Sequence, residues 1–299
     1  MANMILTGSE GFLGKIIKNV YEDELLTLSR SNAMFNIDIS RPFSFDREIC
    51  VDWVFHAAGM AHLIPQTNAE EQAFYATNLQ GTQHLCQALD SLERLPSSFF
   101  FISTVAVYGE ESGENIDENF PLNGKSPYAR SKILAENFIQ AWCKERSITC
   151  SILRLPLLAG AKPPGNLGAM VSGIRTGKYL SIGPAAARKS ILWAADIAQV
   201  LPKLATIGGI YNLSDGYHPS FAELETAISE ALSKKKPKKI PLWAARLLAR
   251  AGDLIGPKFP FNSVKLDKIT SSLTFDDRKA RQLIGWNPTP VLSKIQEII

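Results

Sequence analysis

Apolar positions in the first half of the chain change period in a regular way. Met4 to Thr7 is a short apolar run, Phe12, Leu13, Ile16, Ile17 and Val20 then recur at helical spacing, and Leu25 to Leu28 is a second apolar run. Short apolar runs set between helical stretches are the mark of strands buried on both faces, so the chain opens as strand, helix, strand. The alternation continues. Val51 to Phe55 reads as a strand, and a helix from about Glu71 to Leu92 carries Phe74, Leu85 and Leu89 on one side. Ser98 to Ser103 is a strongly apolar strand, a helix from near Tyr128 to Arg146 carries Ile133, Leu134, Phe138 and Trp142, and Thr149 to Leu153 closes the regular part. This order predicts an α/β fold with a doubly wound parallel sheet over residues 1–155.

After residue 155 the pattern loses regularity, with Pro163, Pro164, Gly165 and Gly168 interrupting it. Helices are predicted at Leu167 to Arg175, Asp196 to Leu204, Ser220 to Leu232, Leu242 to Leu254 and Asp276 to Ile284, with a short strand at Tyr211 to Leu213. Residues 156–299 are thus expected to form a smaller mixed lobe, with some chain crossing back to the sheet.

Composition narrows the class. The 299 residues are 45% hydrophobic and 20% charged, an ordinary globular balance. Lys and Arg total 32 against 29 Asp and Glu, a net charge of +3, too small to predict nucleic-acid binding, so anionic ligands need local sites. The apolar stretch Ile148 to Ala161 is broken by Arg154 and Pro156 and falls short of the roughly 20 residues of a membrane span. The start of the chain lacks a positive segment ahead of an apolar one. Cys50, Cys86, Cys143 and Cys150 show no CxxC pairing, which predicts reduced thiols. A cytoplasmic protein is expected.

Three short motifs carry candidate chemistry. Gly8, Gly11 and Gly14 in TGSEGFLG, with Ser9, Phe12 and Leu13 between them, follow the first strand and open a helix. Glycine lets the backbone turn tightly and approach a pyrophosphate, and a helix N-terminus offers unpaired N–H groups. Tyr128 and Lys132 in SPYARSK stand four apart, on one face of a helix. An ammonium about 4 Å away at an effective dielectric of about 20 contributes roughly 4 kcal/mol, a ceiling near three pKa units before desolvation, which would draw the Tyr128 phenol toward physiological pH. Ser103 and Thr104 end an apolar strand, where hydroxyls meet the ligand crevice of an open sheet.

Together these motifs resemble the extended short-chain dehydrogenases/reductases, specifically the NAD-dependent epimerase/dehydratase family acting on nucleotide sugars. The resemblance rests on TGSEGFLG, Asp38 in NIDIS, HAAG at 56–59, NLQGT at 78–82, STVAVYG, SPYARSK, LRLPLLAG and DDRKARQLIGWNP. It implies a Rossmann-type domain and a catalytic set of Thr104, Tyr128 and Lys132, with Asn78 as the helix asparagine. The cofactor is implied to lie along the glycine turn, with adenine at Asp38, with the nicotinamide ribose near Ala57, Ala58, Tyr128 and Lys132, and with Ile39, Gly59, Asn78, Ser103 and Pro156 among its other contacts. A nucleotide sugar, UDP-linked, is implied over the second lobe, touching Thr104, Val105, Tyr128 and Asn166, with Arg188 or Lys189 at its diphosphate. Dimerisation through paired helices is the habit of the family, which makes a homodimer the implied assembly.

Two departures narrow the reaction. Dehydratases of the family carry an Asp-Glu pair after the catalytic threonine, whereas Val105 and Ala106 follow Thr104 here. Hydride and proton transfer at one carbon, hexose C4, is what remains. At the end of the second strand, NAD enzymes usually place a carboxylate for the ribose, but this chain has Ser29, Arg30 and Ser31. Arg30 suits a 2′-phosphate, so NADP is preferred over NAD. A UDP-4-keto-(N-acetyl)hexosamine reductase is accordingly expected ahead of a UDP-sugar 4-epimerase of the UDP-glucose or UDP-GlcNAc type, and ahead of a non-catalytic redox-sensing module. AAGMAHL and SDGYHPSFAEL resemble the bacterial polysaccharide subgroup.

His56, His62, His84 and His218 lack metal-ligand spacing, and no metal is expected. KKKPKK at 234–239 precedes a helix bearing Trp243, Leu247, Leu248, Leu254 and Ile255 beside Arg246 and Arg250. A solvated loop and a packed helix are expected there, with peripheral attachment to an anionic membrane as the alternative.

Overall fold

The computed structural model describes residues 3–61, 63–255 and 261–299. Seven parallel strands form the central sheet, in the spatial order Gly209–Asn212, Thr149–Leu155, Ser98–Thr104, Trp53–His56, Met4–Thr7, Leu25–Ser29 and Phe35–Asn36. Met4–Thr7 is aligned with Leu25 to Leu28 on one side and with Trp53–His56 on the other. From Met4–Thr7 the chain winds outward to Phe35–Asn36, then returns and winds the opposite way. The reversal falls between Met4–Thr7 and Trp53–His56, and a crevice beyond the carboxyl ends of such strands is where an open α/β sheet takes a ligand.

Strand side chains alternate between faces, which explains why the sheet needs cover on both. Met4, Leu6, Phe55, Phe100 and Leu153 pack under the helices Phe12–Val20 and Ile197–Ile207. Ile5, Val54, Phe99, Phe101 and Ile152 pack under Gly81–Asp90 and Pro127–Glu145, through Leu85, Leu89, Ile139 and Trp142. Full burial of one such side chain contributes about 1.5–3 kcal/mol. The same alternation turns Ser103 and Thr104, neighbours on one strand, to opposite faces.

The long helix predicted from Glu71 begins earlier and is broken. Thr67 accepts a hydrogen bond from the Glu70 N–H at 3.2 Å and the Glu70 carboxylate accepts one from Thr67 N–H at 3.3 Å, a reciprocal cap that starts the helix at Asn68. It runs Asn68–Tyr75, widens into one π turn at Ala76–Gln80, and resumes as Gly81–Asp90. The helix Pro127–Glu145 starts where Ser126 caps the Ala129 N–H at 3.2 Å and Pro127 takes the first position.

Part of the chain after residue 155 belongs to the sheet. Gly209–Asn212 pairs with Ser151 to Arg154 at the sheet edge, and Ile197–Ile207 and Arg278–Ile284 pack their apolar faces on the main core. In return, Gly113–Ile116 pairs with Leu273–Phe275 outside the central sheet. The smaller lobe keeps its own core of Leu167, Met170, Ile174, Ile191, Leu224 and Ile228. The helix Leu242–Ile255 packs as expected, but through Leu242, Ala245, Ala249 and Gly252, while Trp243, Leu247 and Leu254 face solvent.

One ion pair is locked inside the fold. The Arg154 guanidinium reaches the Glu136 carboxylate at 2.8 Å, with side-chain exposures of 3% and 0%. Ser103 Oγ also donates to Glu136, and Arg154 Nη1 donates to Tyr108 Oη and to the Glu118 carbonyl, both at 3.2 Å. Removing one buried partner strands the other charge, so Arg154→Met is expected to destabilise the protein by about 3–5 kcal/mol. Chemical denaturation checks this, and a change under about 1 kcal/mol would contradict it.

Candidate active site

The crevice begins at the glycine turn. Gly8 takes φ +68° and donates its N–H to the Leu28 carbonyl at 2.8 Å, while Gly11 N–H closes the turn on the Gly8 carbonyl at 2.9 Å. A Cβ on Gly8 would come to 2.7 Å from the Ala58 nitrogen, and one on Gly14 to 2.1 Å from the Gly8 carbonyl oxygen. Both obstacles are backbone, so these two positions admit only glycine. The helix Phe12–Val20 starts at Gly11 with no side-chain cap and no acidic residue in its first turn, which leaves its N-terminal N–H groups and dipole open to an anion. Ser9 is fully buried in the turn and its Oγ has no hydrogen-bond partner among the described residues.

A buried relay fixes the facing wall. Thr82 Oγ1 donates to the Asn78 carbonyl at 2.7 Å, so it can only accept from His56 Nε2 at 2.9 Å. That leaves His56 Nδ1 as the acceptor for Thr7 Oγ1 at 2.6 Å, and Thr7 Oγ1 in turn accepts from Ala58 N–H at 3.1 Å. For a neutral imidazole this chain of donors selects the tautomer protonated at Nε2. Burial, reinforced by the Lys132 charge, pushes the His56 pKa down from 6.5 to about 3. The work of His56 is to tie Ala57 and Ala58 to the first strand, a role that its place in HAAG does not reveal.

Asn78, 1% exposed in the π turn, accepts from Met60 N–H at 2.7 Å and donates to the Met60 carbonyl at 3.1 Å and to Ser131 Oγ at 2.9 Å. Ser131 Oγ donates to the Tyr128 carbonyl at 2.8 Å. One side chain thereby joins the HAAG loop to the helix carrying Tyr128 and Lys132. Gly59 gives room: a Cβ there would lie 3.1 Å from Asn78 Oδ1 and 3.3 Å from Lys132 Nζ.

Thr104 Oγ1 accepts the Ala106 N–H at 3.2 Å, which leaves its hydrogen for the neighbouring Tyr128 phenol, whose pKa it helps hold down. Lys132 is buried, donates from Nζ to the Ile102 carbonyl at 2.7 Å, and lies 4.6 Å from the centre of the Phe101 ring. Burial lowers its pKa to about 8, partly offset by Glu136. The Tyr128 phenol differs from expectation. Burial raises its pKa, opposed only by the Thr104 hydrogen bond. The spacing alone suggests the opposite direction; in the fold the ammonium is held by a carbonyl and a ring face, and the loss of water around the phenol prevails.

The other expected residues divide by location. Arg30 is exposed at the end of the second strand, and its charge helps lower the Asp38 carboxyl, which is held mainly by Ser40 Oγ at 2.8 Å. Ile39 is buried, its carbonyl accepting from His84 Nδ1 at 2.9 Å. Pro156 is half-buried just beyond Thr149–Leu155. The Ser103 hydroxyl donates to Glu136, on the opposite face of the strand from Thr104. Val105 packs against the cluster of Val107, Tyr108, Ile116 and Phe275. In the second lobe Asn166 is exposed at the start of Gly165–Arg175. Arg188 donates to the His218 carbonyl at 2.9 Å and pairs loosely with Glu223 at 3.6 Å, and Lys189 is half-buried. No hydrogen bond among the described residues joins these three to Thr104 or Tyr128.

A cavity of about 620 Å³ lies elsewhere, lined by Asp215, His218, Asp276, Asp277, Arg278 and Arg281 among others. Asp276 is paired with Arg278, Asp277 with Arg281, and Asp215 accepts from three backbone N–H groups. Those contacts engage the lining carboxylates except for Asp277 Oδ2, which is buried with no hydrogen-bond partner among the described residues. Among the described residues no group of three or more His, Cys, Asp or Glu is placed to hold a metal ion; His62 lies outside them.

The glycine turn, the uncapped helix and the unmet Ser9 hydroxyl fit a dinucleotide pyrophosphate, and the Tyr128–Lys132 face fits the nicotinamide end. Comparison with known proteins agrees in class. Residues 4–214 match the model of the NAD dependent epimerase/dehydratase family, and the chain belongs to that family. It is an enzyme of the short-chain dehydrogenase/reductase type that binds NAD(P). A 4-epimerase of Escherichia coli O157:H7 named for N-acetyl-α-D-glucosaminyl-diphospho-ditrans,octacis-undecaprenol is 25% identical, over 93% of this chain and 88% of that protein. UDP-glucose 4-epimerase of Vibrio cholerae is 26% identical, over 98% and 92%. Pseudomonas aeruginosa RMD, solved with NADPH, superposes with a TM-score of 0.75 at 18% identity, covering 99% of this chain and 97% of the other.

The neutral His56 has a consequence for acid stability. Its folded pKa lies below the unfolded value of 6.5, so below pH 6.5 the unfolded chain binds the extra proton, and this contribution to stability falls until pH is near 3. The slope is up to about 1.4 kcal/mol per pH unit. Between pH 7 and 5, His56→Gln should lose about 2 kcal/mol less than the wild type in denaturant titrations; equal losses would contradict the neutral relay.

Proposed function

We propose that this protein transfers hydride at C4 of a diphosphate-linked hexose, in the direction of 4-keto reduction of a UDP-linked N-acetylhexosamine derivative. The observation that carries the reading is the gathering of Thr104 beside the Tyr128 phenol and of Lys132 on Ile102 of the same strand, in a fold whose glycine turn suits a pyrophosphate. A bound nicotinamide supplies or removes the hydride. Tyr128, kept protonated by burial, gives its proton to the C4 oxygen as charge gathers there. Thr104, its lone pair held by Ala106, turns its hydrogen toward that oxygen and steadies it. Lys132 gives one donor to Ile102 and has two more for ribose hydroxyls.

Val105 and Ala106 stand where a dehydration acid and base would be, and no carboxylate is among the groups that shift Tyr128. Arg30, exposed beside Asp38, favours the 2′-phosphate of NADP. In the second lobe Asn166, Arg188 and Lys189 are the candidates for the sugar diphosphate, because the loose Arg188–Glu223 pair is easily exchanged for phosphate. The same grip suits a sugar diphosphate on undecaprenol, as in the name of the Escherichia coli relative. Interconversion of 4-epimers with retained NAD is the second reading, favoured by the two epimerase relatives.

Tyr128→Phe is expected to lower turnover at least about 100-fold with dinucleotide binding kept. The assays are NADPH consumption with a UDP-4-keto sugar and interconversion of UDP-GlcNAc with UDP-GalNAc. Near-normal turnover in both would remove Tyr128 from the chemistry.

A further inference from the structure

We propose that the outward face of the helix Leu242–Ile255, with the lysine loop that precedes it, docks this protein on an anionic lipid bilayer. The helix has two unlike faces. Ala245, Ala249 and Gly252 recur at i, i+4 and i+7 and are buried against Leu266 and its neighbours, a close contact made by small side chains. Trp243, Leu247, Arg250 and Leu254 recur at i, i+4, i+7 and i+11 on the opposite side, one stripe along the helix. The three apolar members are 67%, 59% and 89% exposed.

This is a concentration, not scatter. Sixteen large apolar side chains are exposed among the described residues, and Trp243, Leu247, Leu248, Leu254 and Ile255 place five of them on this one helix. Isolated exposed apolar residues need no explanation, whereas a contiguous set does. A further one, Leu180 at 49% exposure, sits beside Lys238 where Leu180–Ile182 pairs with Lys238–Ile240.

Charge selects the occupant. Residues 234–255 hold Lys234, Lys235, Lys236, Lys238, Lys239, Arg246 and Arg250 against one carboxylate, Asp253. The whole chain is only +3, so outside this segment it is net negative. The lysines are exposed, and among the described residues no salt bridge engages any of these seven cations. A second copy of the chain would bring like charges together across this face. A nucleic acid would gain nothing from an outward row of tryptophan and leucines. An anionic bilayer answers both features, since its headgroups attract the cations and its acyl boundary takes the apolar stripe. No helix among the described residues is long and apolar enough to cross a membrane, and docking in the interface plane requires none.

The test is flotation of the full chain with phosphatidylcholine vesicles, with or without roughly one-third phosphatidylglycerol. The protein is expected to float with the anionic vesicles, to be released by raised salt, and to stay behind with phosphatidylcholine alone. Lys235→Gln with Lys236→Gln should weaken binding roughly 25-fold, at about fivefold for each charge near the surface. Leu247→Ser with Leu254→Ser should weaken it at least about tenfold. Turnover on a soluble nucleotide sugar should be unchanged in both, which separates this result from the catalytic reading. If the leucine pair fails to fold, the lysine pair, outside the helix, decides alone. Absence of flotation with anionic vesicles, equal binding by the lysine variant, preferential binding to nucleic acid, or a dimer in sedimentation that Leu247→Ser disperses would each overturn the proposal.

Discussion

The site depends on how closely two strand ends approach one another. Gly8 at the end of Met4–Thr7 and Ala57 and Ala58 after Trp53–His56 are near enough that a single methyl group would collide with backbone. Thr7, His56 and Thr82 hold that approach through hydrogen bonds of 2.6 to 2.9 Å in a region closed to water. A buried chain of this kind is valuable only when every member is satisfied. It is satisfied here by one tautomer of one neutral imidazole. From that wall Asn78 reaches Met60 on one side and Ser131 on the other, so the position of the Tyr128–Lys132 helix is set by the same network that shapes the cofactor crevice.

The proton chemistry follows from burial more than from pairing. A lysine four residues away looks from spacing like the natural means of lowering a tyrosine pKa. In the folded chain Lys132 bonds the Ile102 carbonyl and Tyr128 bonds Thr104, and desolvation sets the direction of both shifts, the phenol up and the ammonium down. A phenol that stays protonated is suited to giving a proton, and this supports the reductive direction on chemical grounds. The lipid-docking face on Leu242–Ile255 belongs to the same molecule without sharing residues with that chemistry. A sugar diphosphate on a lipid carrier would link the two.

Much of the core fold was legible because its cause is local. TGSEGFLG announces its turn through Gly8 and Gly14, where backbone leaves no room for a Cβ, and the Tyr128–Lys132 offset puts both on one helical face whatever the tertiary packing. The alternation of apolar runs and helical periods is equally local. What stayed hidden depends on partners distant in sequence. Nothing near Tyr211 tells that Gly209–Asn212 pairs with Thr149–Leu155, and nothing near Ser103 names Glu136 and Arg154 as its neighbours. The opposite facing of Ser103 and Thr104 was available from strand periodicity. The helix at 242–254 packs as expected, but its packing face is made of Ala245, Ala249 and Gly252, a face that small side chains do not announce in the sequence.

The most direct test of hydride transfer at C4 is isotopic. The protein is given a UDP-4-keto-N-acetylhexosamine with NADPH deuterated at the transferring position, and the product is read by NMR. The account predicts one deuterium, bound to the sugar C4 in a single configuration. Deuterium at another carbon, or a product formed without it, would contradict the account.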